Sequence, residues 1–175
     1  MPMSWTNDNV PEIDIDYDDE EAKKTLAEIS AVLDKNGFED AGRELRIRSA
    51  RALTAGERAV DDMADKTVQE VSTLMRERQY RQPSYHPGVY AFDHKVNNQH
   101  MVDRLKDHKD GNKHRIYTDI NNNGYNYSQA FEFGLLTRKY PAHHPFGDAA
   151  NHLNLHSGNG SLDDDVSNAI SRGFD

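Results

Sequence analysis

Nine histidines and thirty carboxylates make metal ligation the first chemistry to test in this chain. The densest constellation is His143-His144…Asp148…His152…His156. Asp148, His152 and His156 stand four apart, the spacing of one helical face. Neutral imidazoles with a carboxylate can give zinc three protein ligands and leave a position for water. On that reading His144, Asp148, His152 and His156 would serve a small metal-dependent hydrolase. Against it, no His-Glu-x-x-His occurs, no outer-sphere partner is identifiable, and Gly147 and Asn151 weaken a helix. A polar, loop-rich surface that happens to contain histidine explains the same residues. The expectation is therefore no catalytic residue, no metal and no other cofactor.

Other chemistry has less support. Asp119-Ile-Asn121-Asn-Asn123-Gly124 opens like a calcium loop, but its twelfth position is Ala130, where a bidentate Glu is required. A hairpin turn at Asn123-Gly124 accounts for those residues better. There is no cysteine, no Gly-x-Ser-x-Gly and no phosphate-binding glycine loop. Glu132 has no second acid placed to share acid and base roles with it. An ion pair with an Arg across a sheet or a subunit boundary is the expectation for Glu132.

The stretch that must position any of this runs from Tyr125 to Ala150. Tyr125, Tyr127, Phe131 and Phe133 alternate and read as one face of a strand. Gly134 ends that strand, and Pro141 and Pro145 hold the following loop extended. Phe146 arrives as an isolated bulky residue. A docking element is expected, with Phe131, Phe133 and Phe146 as anchors and Glu132, Gly134, Pro141 and Pro145 shaping it.

Tyr125, Ala130, Glu132 and Gly134, then Pro141-Ala142, Pro145-Phe146 and Ala150, form a pattern that resembles the signature of a siphophage tail-component family, the lambdoid gene-product-ten type. Leu135 stands where the family usually has Thr, and Pro87-Gly88 where it has Thr-Gly. The resemblance implies a long helix ahead of a small sheet. It also implies a non-enzymatic virion protein, a tail-completion or neck component joining head connector to tail tube, with a tail terminator as the nearest alternative. Implied partners are the head–tail stopper or connector, the tail terminator and the tail tube. A ring-shaped homo-oligomer in the virion follows, through which DNA passes without specific binding, and a monomer before assembly in the host cytoplasm is compatible with it.

Composition agrees with a partner-dependent protein. A chain of 175 residues with 35% hydrophobic and 29% charged residues can bury one thin core. No apolar run reaches the ~18 residues of a membrane span. The first residues lack a basic and an apolar region, so no secretory signal is expected. Net charge is −9, with seven carboxylates over residues 12–21 and three more at Asp163, Asp164 and Asp165. An acidic chain neutralises few phosphates and is a poor nucleic-acid binder.

Along the chain, residues 1–18 read as a disordered or partner-ordered acidic arm, with Trp5 as a lone aromatic. Residues 19–156 read as one α+β domain, and 157–175 as a hinge and short helix. Within the domain, Leu26, Ile29, Val32 and Leu33 share a helical face that Asn36-Gly37 stops. Asp40 to Arg78 is helical, as one helix or as two divided at the Thr54…Glu57 capping-box spacing. Val89–Phe92 and the alternating Ile116, Thr118 and Ile120 read as strands, with a turn at Asp110-Gly111-Asn112 between them. The fold class is α+β: long helices packed on a small antiparallel sheet.

Overall fold

The computed structural model describes residues 10–80, 100–120, 126–134, 141–155 and 160–175. The fold is α+β and mostly helical, with a three-stranded antiparallel sheet. In chain order the elements are β1 (Glu12–Asp16), α1 (Glu20–Lys35), α2 (Glu39–Tyr80), a 3-10 turn (Met101–Arg104), β2 (Leu105–Asp110), β3 (Lys113–Thr118), α3 (Ser128–Phe133), α4 (Pro145–His152) and α5 (Ser161–Phe174). The strand order is β1-β3-β2. The expected strand at Val89–Phe92 and the turn at Asn123-Gly124 lie outside the described residues, as do Trp5 and His156.

Contacts group the chain into two compact units. One holds residues 1–14, 64–109 and 114–153; the other holds 15–63, 110–113 and 154–175.

The second unit is helical. α1 stops where Asn36-Gly37 predicts, because Gly37 takes φ 83° and the chain closes a Schellman cap. There Phe38 N–H donates to the Leu33 carbonyl at 2.9 Å and Gly37 N–H to that of Asp34 at 3.1 Å. α2 is one helix of 42 residues. Thr54 and Glu57 are interior to it and cap nothing. The first part of α2 buries a stripe of small residues, among them Gly42, Ser49, Ala52 and Gly56. A Cβ on Gly42 would lie 3.0 Å from the Ser30 carbonyl of α1, and one on Gly173 of α5 would lie 2.5 Å from the Ala52 Cα. The helices thus approach backbone to backbone, and only small residues permit it.

That close approach corrects the face expected for α1. Ser30 is its buried residue, Leu26 and Leu33 are half-buried, and Ile29 and Val32 remain 47% and 58% exposed. The C-terminal helix matches expectation: α5 starts at Ser161, Asp163 accepts the Gly160 N–H at 3.1 Å, and Val166 is buried.

The first unit takes over the α2 stripe at Ala64, Thr67, Val71, Leu74 and Met75, all buried. β3 is the middle strand and buries His114, Ile116 and Thr118 in alternation. The β2–β3 turn falls at the expected Gly111-Asn112. Gly111 takes φ 59° while Asn112 does not turn positive, the pattern of a type II′ hairpin. β2 itself was not anticipated, because Leu105–Asp110 is a charged sequence with little β propensity.

The acidic arm expected over residues 1–18 also needs correction, since Glu12–Asp16 is a strand with Ile13 and Ile15 buried. Its outward carboxylates find bases in the middle strand. Arg115 Nε lies 2.9 Å from Asp14 and 3.6 Å from Glu12, and Lys113 Nζ lies 2.8 Å from Asp16. Pairing with β3 supplies the hydrogen bonds and charges that this segment lacks alone.

Candidate docking site

Within the Tyr125–Ala150 stretch the described residues, 126–134 and 141–150, hold two short helices where a strand and an extended loop were expected. The side chain of Asn126 starts the first: its Oδ1 accepts the Ser128 N–H at 3.0 Å and the Ser128 hydroxyl at 2.6 Å. This local bond offers the backbone an alternative to a sheet ladder. α3 follows, and all of Ser128, Gln129, Ala130, Phe131 and Glu132 are buried. Residues two apart are opposite neighbours on a helix, about 200° round its axis, instead of sharing a face as on a strand. Phe131 is accordingly 3% exposed and Phe133 58% exposed. Gly134 does end the element, with φ 75° and its N–H on the Ala130 carbonyl at 2.8 Å.

Two backbone bonds then tie the returning chain to α3: His143 N–H to the Phe131 carbonyl at 2.9 Å, and His144 N–H to the Glu132 carbonyl at 3.3 Å. His144 is left-handed (φ 48°, ψ 42°), and Pro145 opens α4 at its first helical position. The pre-proline residue therefore escapes the extended conformation expected of it. Pro145 begins a helix, a use in which its missing N–H costs nothing. Pro141 is exposed in the preceding irregular segment.

Glu132 organises the pair. Its side chain is buried, and the carboxylate accepts from two free amides of α4, Oε2 from Phe146 N–H at 2.9 Å and Oε1 from Gly147 N–H at 3.0 Å. A negative group at a helix N-terminus satisfies orphan donors and complements the helix dipole. Gly147 leaves room for it: a Cβ there would stand 3.2 Å from Oε1. The Arg partner expected for Glu132 is thus replaced by backbone amides. Sequence reasoning missed this because α3 and α4 were not both anticipated as helices.

Arg78, near the end of α2, closes the arrangement. Its guanidinium donates to the His143 carbonyl and pairs with Asp148 at 2.7 Å. The His143 ring stacks on Phe131, with centroids 4.6 Å apart and planes inclined by 27°. Burial, then the nearby Arg78 and His144 charges, lower the His143 pKa from its ordinary 6.5. Phe146 is 3% exposed and Ala149 is fully buried. Phe131 and Phe146 therefore anchor this unit to itself, and of the three expected anchors Phe133 is the one presented to solvent.

The histidine constellation is dispersed among separate partners. His144 Nδ1 lies 3.9 Å from Glu132, Asp148 pairs with Arg78, and His152 Nδ1 lies 2.8 Å from Glu70. Among the described residues no group of three or more His, Asp or Glu side chains converges as a metal site would need. On the outer face of the sheet a groove of about 470 Å³ is lined by Glu12, His108, Arg115, Tyr117 and Asp119. Its charges are largely matched within the chain, as Arg115 pairs with Glu12 and Asp14, and Asp119 with Arg104 at 2.6 Å and with Lys106.

The surface that stands out lies in the helical unit. Ile29 and Val32 on α1, Phe38 after it and Ile47 on α2 are 47%, 58%, 62% and 43% exposed. Single apolar side chains are ordinary on a surface; these four large ones fall within nineteen consecutive positions. The 3.6-residue pattern at Ile29 and Val32 identified the face; its exposure depended on where α2 lies.

No protein-family model matches the chain, and no curated protein or solved structure matches it.

Proposed function

We propose that this chain is a non-enzymatic structural component of a long-tailed bacteriophage virion, a tail-completion or neck protein that joins head connector to tail tube. The observation that carries the assembly role is the exposed apolar set Ile29, Val32, Phe38 and Ile47 in a chain of only 35% hydrophobic residues. A protein that leaves large apolar groups in water while its core is thin gains by covering them with a neighbour. The phage assignment comes from the residue pattern Tyr125 to Ala150. The separate engagement of His144, Asp148 and His152 favours this reading over a metal-dependent hydrolase.

The test is a triple variant, Ile29→Ser, Val32→Ser and Phe38→Ser, expressed together with the head–tail connector and tail proteins. These sites are exposed, so the unfolding free energy is expected to change by no more than about 0.5 kcal/mol per site. Incorporation into particles is expected to be lost, leaving tails and heads unjoined. Particles that assemble normally with the variant would reject the docking role of this face. Native mass spectrometry of the same preparations separates a metal-free assembly protein from a zinc-loaded hydrolase.

A further inference from the structure

We propose that β2 pairs edge to edge with β2 of a second copy of this chain, antiparallel, about a two-fold axis at His108. Among the described residues β2 is bonded only to β3, and Lys106 to Asp110 are all exposed. An edge strand presents a row of backbone donors and acceptors that can template pairing with another chain. Proteins deter this with charge, and deterrence works through like charges brought face to face.

This edge does the reverse. Its sequence is Lys106-Asp107-His108-Lys109-Asp110. Laid antiparallel on itself about His108, Lys106 faces the second copy's Asp110 and Asp107 faces the second copy's Lys109. The two-fold axis repeats both pairs, so four opposite-charge pairs flank the centre. Directly opposed charges of unlike sign stabilise a sheet, and like charges destabilise it. The neighbouring registers are penalised: a shift of one residue sets Lys106 against Lys109 in one direction and Asp107 against Asp110 in the other. Register in a sheet with two polar faces is otherwise weakly specified; here charge selects one.

Contacts within the chain leave these groups competent. Lys106 pairs with Asp119, and Asp107 accepts from His114 at 2.6 Å. An ammonium has three donors and a carboxylate about four acceptor sites, so one partner does not exhaust either. The contact is isologous and closes at two copies. It is thus a property of the free protein, distinct from any ring in a virion, and it does not rest on the proposed neck role.

The chain contains no cysteine, so His108→Cys introduces a single thiol. Residues directly opposed in an antiparallel pair have Cα atoms about 4.5–5.5 Å apart, inside the roughly 4.4–6.8 Å of a disulfide. Residue 106 or 110 would lie about 13 Å from its own copy. Oxidation of the full chain is expected to convert H108C to a covalent dimer while K106C and D110C stay monomeric. In sedimentation the native chain is expected at twice the monomer mass, Lys106→Asp at the monomer mass, and the charge-swapped K106D/D110K pair back at the dimer mass. Circular dichroism checks that each variant is folded, and the swap supplies rescue where a single change harms the fold. A native chain that sediments as a monomer, or equal cross-linking at 106, 108 and 110, overturns the proposal.

Discussion

On β1, Glu12, Asp14 and Asp16 stand in solvent and meet Arg115 and Lys113 of the neighbouring strand. In the α3–α4 pair, Glu132 is 4% exposed and its two oxygens meet two backbone amides. Each carboxylate carries the same formal charge, but the free energy at stake differs between the two regions. An exposed ion pair exchanges one well-solvated arrangement for another and contributes little. A buried carboxylate has surrendered its water, and so has the Phe146 amide it accepts from, so removing either side leaves an unpaired buried group. Acidic content read from a sequence therefore says little about which acids hold the fold.

Glu132→Ala carries the largest expected effect. It leaves the Phe146 and Gly147 amides unpaired and opens space beside α4, at a cost of about 3 kcal/mol or more. Urea denaturation should show it, and Glu132→Gln should recover part of the loss by keeping one acceptor. An alanine variant as stable as the native chain would remove Glu132 from its central place.

Acid provides the next effect. The folded-state pKa of His143 lies below its ordinary 6.5, so the unfolded chain binds this proton more readily. The native state holds its full contribution above that value, and stability falls as pH drops through 6.5 toward the folded pKa. Replacing His143 with Gln should flatten the slope of unfolding free energy against pH in that window. An unchanged slope would assign the acid sensitivity elsewhere.

Arg115→Ala defines the small end. Arg115 is solvent-exposed and bridges Glu12 and Asp14. Its loss should leave the denaturation midpoint within experimental scatter at physiological salt, with any difference emerging only at low ionic strength, where screening is weak. A shift comparable to that of Glu132→Ala would erase the contrast between the two regions.

Particular residues show why some features were legible beforehand. Asn36-Gly37 stops α1, Gly111-Asn112 turns the hairpin, and Ile116 with Thr118 alternates inward. Each signal lies within a few residues of what it controls. Phe131 and Phe133 failed as a pair because alternation fits a strand, whereas the Asn126 side chain and the burial of five successive residues favour a helix. In the candidate stretch Glu132, Gly134, Pro145 and Phe146 all hold structural positions, but Glu132 meets backbone amides where an Arg was expected, and Phe146 is buried within its own unit where a docking anchor was expected.

The amino-acid sequence by itself determined where α1 stops, where the hairpin turns and the α+β class. Those follow from local conformational preference and composition, which act without reference to distant chain. Tertiary structure alone decided that α2 runs unbroken past Thr54, that β1 is a strand and not an arm, and that Ile29 and Val32 face outward while Ser30 is buried. It also decided that Glu132 caps α4. Each of those depends on what lies opposite, and in this chain the opposing groups are small residues and backbone amides, which a pattern of side chains does not display.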